Sequence, residues 1–202
     1  MKTLRQYIET EIIPRYDSFD AAHRRDHVEY VIAQSLKLAE HYDVDRDMVY
    51  VIAAYHDTGL AVDRKTHHLE SGRIIRSDQC LRQWFDEDQI ETMARAVEDH
   101  RASSDHEPRS IYGKIVAEAD RQIDPETIIR RTVQYGLSHY PGLDREGHWN
   151  RMLEHLNEKY AEGGYLRLWI PESDNAAMLR ELHGLIRDRD YLESMFDKFY
   201  KP

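Results

Sequence analysis

The longest uninterrupted apolar run in the chain, Met48 to Tyr55, stops at His56-Asp57-Thr58-Gly59. Its eight residues fall well short of the roughly 20 that span a bilayer, so the run has to be buried in a folded core. As a helix, it places His56 three, four and seven residues after Ala53, Ile52 and Val49, on the buried stripe, with Asp57 lying over Ala53 and Ala54. An imidazole and a carboxylate at the inner end of an apolar face cost on the order of several kcal/mol unless paired, hydrogen-bonded or bound to metal. The rest of the fold must therefore bring them partners.

The remaining sequence reads as helix after helix. A segment from Leu4 to Tyr16 is interrupted by Pro14, and a polar turn, Asp17 to Arg25, follows. Asp26 is a suitable N-cap for a helix that carries Val28, Val31, Leu38 and Ala39 inward, with His27 at the mouth of the stripe. A loop after Gly59 leads to His67-His68 at the start of another helix, and Asp86-Glu87-Asp88 opens one that ends at His100. The loop Arg101 to Arg109 precedes a helix from about Ser110, in which Gly113, Val116 and Ala117 put Asp120 on an apolar face. Asp124 with Pro125 caps a helix to His139, and two further helices run over 144–161 and 175–199. The patch Tyr165 to Ile170 carries the sole hint of a strand. The fold class expected is all-α, an expectation of one domain over 1–202 with its site between about 20 and 125 and additional C-terminal helices beyond.

A formal charge of -10 argues against a sequence-independent polynucleotide binder and leaves room for a small anionic substrate. The N-terminus has no hydrophobic signal core, so a cytoplasmic protein with no membrane partner is expected. One cysteine, Cys80, excludes a thiolate cluster; any metal is held by His and carboxylate, a set compatible with Zn, Mn, Fe, Ni, Co or Mg.

The helical stripes deliver His27, His56 with Asp57, His68, His100 and Asp120, which one shared site explains better than five independent burials. His56-Asp57-Thr58-Gly59, His68-Leu69-Glu70-Ser71, a helix ending in His100, and Lys114-Ile115-Val116-Ala117-Glu118-Ala119-Asp120-Arg121 follow one another in order. In this the chain resembles the HD superfamily of metal-dependent phosphohydrolases, and more closely its bacterial single-domain branch of YedJ-like proteins. The resemblance implies an HD-domain helical bundle. It implies that His27, His56, Asp57 and Asp120 hold one divalent ion, with a second possible, that Asp57 also serves as base, and that His68 and His100 face the phosphate. Leu60 and Ala61 stand where some members carry a carboxylate general acid.

Lys65, Lys114 and Arg121 are candidate substrate cations. With Arg24, Arg25, Arg101 and Arg109 also in nearby loops, a nucleoside di- or triphosphate fits better than a phosphodiester in a folded polynucleotide; the expected class is a small phosphorylated metabolite such as a nucleotide, phosphomonoester or polyphosphate. The alternative is a non-catalytic module that senses metal and nucleotide. One ion is favoured over two, because the reach of the loop carrying His67 and His68 is not fixed by the sequence. Oligomeric state has no sequence signal.

Overall fold

The computed structural model describes residues 2–19, 23–104 and 106–202; residues 20–22 of the expected turn and Asp105 of the expected loop lie outside it. Among the described residues there are ten α-helices and no strand, so the chain is all-α. It divides into two compact units, residues 1–121 with 169–173, and residues 122–168 with 174–202. No helix of the described residues is long and apolar enough to cross a membrane.

In the first unit, α1 (Leu4–Tyr7) is closed by a capping box between Thr3 and Gln6 and passes into a π turn (Ile8–Ile12) and a 3-10 turn (Ile13–Ser18). Pro14, which lacks an N–H, sits in the first turn of the latter, the position where that loss costs no hydrogen bond. α2 (Arg25–Leu38) starts earlier than expected. Arg24 is the extended residue before it, and Asp26 stands in the first turn, where its charge suits the helix dipole but caps nothing.

The central helix, α3 (Arg46–Tyr55), is capped by Asp45, whose carboxylate accepts from the amides of Asp47 (2.8 Å) and Met48 (3.2 Å). Every residue from Met48 to Tyr55 is buried, as expected of a helix apolar all round. α2, α5 (Glu87–Glu98) and α6 (Ile111–Ala119) pack against α3, and α4 (His67–Ser77) packs against α5. Between α3 and α4 the chain makes a 3-10 turn, Thr58–Ala61, that passes too close to α4 for any side chain at Gly59. A Cβ there would lie 2.1 Å from the His67 carbonyl oxygen, and the Gly59 amide donates to Ser71 Oγ at 2.8 Å.

No strand forms at 165–170. The amides of Trp169 (2.6 Å) and Ile170 (3.4 Å) and the Ser173 hydroxyl (2.5 Å) instead donate to the fully buried carboxylate of Glu118 on α6.

The second unit holds α7 (Pro125–His139), α8 (Arg145–Tyr160), α9 (Asn175–Arg187) and α10 (Arg189–Phe199). The single helix expected over 175–199 is two, because Asp188 turns extended, accepts from the Tyr191 amide at 3.0 Å and caps α10. Phe196 is buried between Trp149 and Tyr200, whereas Tyr165 is 42% exposed.

Candidate metal centre

His56 follows the last turn of α3 and is completely buried. Its Nδ1 lies 2.8 Å from the Ala53 carbonyl oxygen, which can only accept, so Nδ1 carries the proton and Nε2 presents a lone pair. That Nε2 is 3.2 Å from Asp57 Oδ2 and 3.3 Å from His27 Nε2. His27, in the first turn of α2, reaches Asp120 Oδ1 at 3.2 Å and Asp57 Oδ2 at 3.7 Å, and Asp120 Oδ1 lies 3.9 Å from His56 Nε2. Asp120, just past the end of α6, thus closes one side of the group.

The other oxygen of Asp57 faces a second group. Asp57 Oδ1 is 3.4 Å from His67 Nε2 and 3.5 Å from His100 Nε2, and those two nitrogens are 3.3 Å apart. Each of these imidazoles repeats the device of His56, with Nδ1 against the carbonyl oxygen three residues before it: Arg64 for His67 (2.8 Å) and Val97 for His100 (2.6 Å). His67, not His68, therefore carries the imidazole from this part of the chain.

Three imidazoles with Nδ1 protons committed to carbonyls turn their Nε2 lone pairs on the two oxygens of one carboxylate, and His67 and His100 turn theirs on each other as well. Lone pairs facing at 3.3 Å repel unless a cation sits among them, and hydrogen bonds behind the rings are the usual support of metal-binding histidines. His27, His56 and Asp57, and again Asp57, His67 and His100, each bring ligand atoms close enough to share an ion. The residues fit a divalent metal, all oxygen and imidazole nitrogen, with Asp57 common to both groups.

Where no ion is bound, protons take its place among the carboxylates. Burial alone would lower the pKa of His56, yet the charge and hydrogen bond of Asp57, with Asp120 behind, raise it to about 9. Asp57 and Asp120 are both buried, which opposes ionisation, but the surrounding imidazoles hold their carboxyls well below the usual range. His67 is pushed down to about 4 by burial, then by the charge of His100. The cluster holds its carboxylates ionised and draws positive charge toward them. The ways in are at Asp120 and His67, whose side chains are 21% and 15% exposed while the other ligands are nearly sealed.

Residues 24–122 match the family model described as HD domain. Over that segment the chain is similar to HD domains. All six clustered side chains fall inside it, and the match implies metal-dependent phosphohydrolase activity in general. No curated protein and no solved structure matches the chain.

Other expected residues of the HD domain lie elsewhere. His68 stands beside His67, ring centres 5.6 Å apart, outside both ligand groups. Lys65 is exposed, and its carbonyl accepts from Arg101 at 3.0 Å. Lys114 pairs with Glu107. Arg121, read as a surface or substrate cation, is buried at 6% exposure; its Nη1 donates to the His100 carbonyl at 2.9 Å and lies 3.8 Å from Asp120 Oδ2, so it braces ligands of both groups from behind.

Tyr16 escaped notice in the sequence. Its buried hydroxyl donates to the Ala54 carbonyl (3.0 Å) and accepts from the Asp57 amide (3.2 Å), fixing the turn that aims the dyad. A buried tyrosine needs a partner for its hydroxyl, but no spacing rule says which.

Proposed function

We propose that this chain is a metal-dependent phosphohydrolase acting on a small phosphorylated metabolite, a nucleotide or a related monoester, and that residues 1–202 act as one functional domain with the site carried by the first unit. The observation that carries the reading is the position of Asp57, whose two oxygens face two imidazole groups. In this reading His27, His56, Asp57 and Asp120 hold one ion, and Asp57, His67 and His100 hold a second. Two ions replace the single one favoured by the sequence. The ordered motifs support placement in the YedJ-like branch.

Bound divalent ions supply Lewis-acid polarisation of a phosphoryl oxygen and activation of water. The chain's own residues supply orientation and access. The carbonyls of Ala53, Arg64 and Val97 fix three ring orientations, and Tyr16 fixes the Asp57 backbone. Although burial opposes it, the imidazoles around Asp57 hold its carboxyl below the usual range, which keeps it ionised as a ligand and hydrogen-bond acceptor. Substrate approaches past Asp120 and His67, the two exposed members.

The test is metal content by elemental analysis together with turnover of p-nitrophenyl phosphate and a panel of nucleotides under Mn, Co, Ni and Mg. Expected are two ions per chain and turnover abolished by a chelator. Stoichiometric metal with no turnover of any phosphoester would identify a non-catalytic sensor instead.

A further inference from the structure

Next to the second ligand group, a groove of about 620 Å³ opens between the start of α4 and the loop after α5. His68 and Arg101, each the immediate neighbour of a clustered histidine, line it, and Ser103, Ser104 and His106 complete its polar wall. Its charges are almost all engaged already. Glu98 accepts from Arg76 (2.5 Å) and Arg109 (2.8 Å), Arg109 also donates to Asp99 (3.0 Å), and Glu107 pairs with Lys114. Among the described residues of the wall, Arg101 and Arg109 stand against Glu98 and Glu107, a formal charge of zero.

What is left over is hydrogen-bonding capacity. The hydroxyls of Ser103 and Ser104 have no partner among the described residues, the buried His68 Nδ1 has none, and Arg101 uses one N–H on the Lys65 carbonyl. Hydroxyls and imidazoles both donate and accept, which matches an alcohol-rich group and not a row of phosphates. A polyphosphate tail brings several negative charges, and among the described residues of this wall Arg101 is the one cation that no carboxylate pairs. Arg25, counted among the loop cations by sequence, is held by Asp17 at 3.0 Å.

Resting on the phosphohydrolase reading, we infer that this groove is the leaving-group subsite, with Arg101, Ser103 and Ser104 as specificity residues, and that it takes an uncharged, polyhydroxylated alcohol such as a sugar or nucleoside. The substrate is then a phosphomonoester of that alcohol, contrary to the polyphosphate preference expected from the loop arginines.

The test compares kcat/KM for ribose 5-phosphate, a nucleoside monophosphate, p-nitrophenyl phosphate and a nucleoside triphosphate on the metal-loaded chain, wild type and the Ser103→Ala/Ser104→Ala and Arg101→Met variants, with metal content measured in each. Expected is a wild type that favours the two hydroxyl-bearing monoesters, and variants with full metal in which the ratio of ribose 5-phosphate to p-nitrophenyl phosphate falls by about tenfold, the size of one or two lost hydrogen bonds. A ratio unchanged in both variants, or a triphosphate turned over faster than any monoester, overturns the subsite while the phosphohydrolase reading stands. No turnover of any phosphoester by the loaded wild type overturns both.

Discussion

His56 and Asp57 gain their meaning from what is placed behind them. Because the His56, His67 and His100 imidazoles are held by backbone carbonyls, truncating one leaves the helix ladder untouched and removes only a donor to the ion. His56→Ala and Asp57→Ala are each expected to lose metal while keeping wild-type helicity, checked by elemental analysis alongside circular dichroism. Retention of stoichiometric metal by both variants would make the dyad structural. The adjacent histidines give a sharper contrast. His67→Ala is expected to drop from two ions per chain to one, whereas His68→Ala keeps both. Equal metal loss in the two would contradict the separation that the structure draws between these neighbours.

At the scale of elements, His67 is in place because α4 begins against Gly59. With a Cβ 2.1 Å from the His67 carbonyl oxygen, Gly59→Ala must push the start of α4 away, since the two nearest obstacles, His67 O and Ser71 N, are backbone and the third, Glu70 Cβ, is fixed to it. The expected outcome is a chain that loses the second ion before the first, with a lowered melting temperature, read by metal titration and calorimetry.

α4 and α5 are also joined by Arg76, which donates to Glu91 (2.8 Å) and Glu98 (2.5 Å). The hydrogen bond from Arg76, opposed by burial and helped by that from Arg95, lowers the Glu91 carboxyl from 4.5 to about 2. A depressed carboxylate stabilises the fold above its unfolded pKa, and that contribution disappears as pH falls through the folded value. Stability should therefore decline between pH 4.5 and about 2, and Glu91→Gln should shrink the decline in that window, measured as the melting temperature across an acid series. Glu91 is substantially exposed, so solvent keeps the change small.

For the whole molecule, the informative feature is the return of residues 169–173 to the first unit. Three donors from that segment converge on Glu118, two positions before Asp120, inside the core. Glu118→Ala strands those donors and is expected to destabilise the fold by about 3 kcal/mol, the scale of hydrogen bonds to a buried charged acceptor. Glu118→Gln, which keeps an acceptor, should lose less. Urea midpoints for both variants test this, and equal losses would mean that packing and not the hydrogen bonds holds the segment.

Local signals determined much of this protein in advance. The 3.6-residue periodicity and the helix starts at Asp86, Ser110 and Asp124 specify an all-α chain, because propensity, capping and apolar spacing act within a single turn. The same periodicity placed His27, His56, Asp57, His100 and Asp120 on inward faces, which is why they could be nominated as partners from sequence.

Only the tertiary structure chose His67 over His68. Helical spacing puts His68 nearer the centre of the buried stripe formed by Ser71, Gly72 and Ile75, but which of two adjacent rings reaches Asp57 depends on where α4 begins against Gly59. It also buried Arg121 behind the ligands, enlisted Tyr16 from 41 residues away, and bound the loop arginines Arg25 and Arg109 to carboxylates. These outcomes depend on the distance between groups far apart in the chain, which periodicity does not encode.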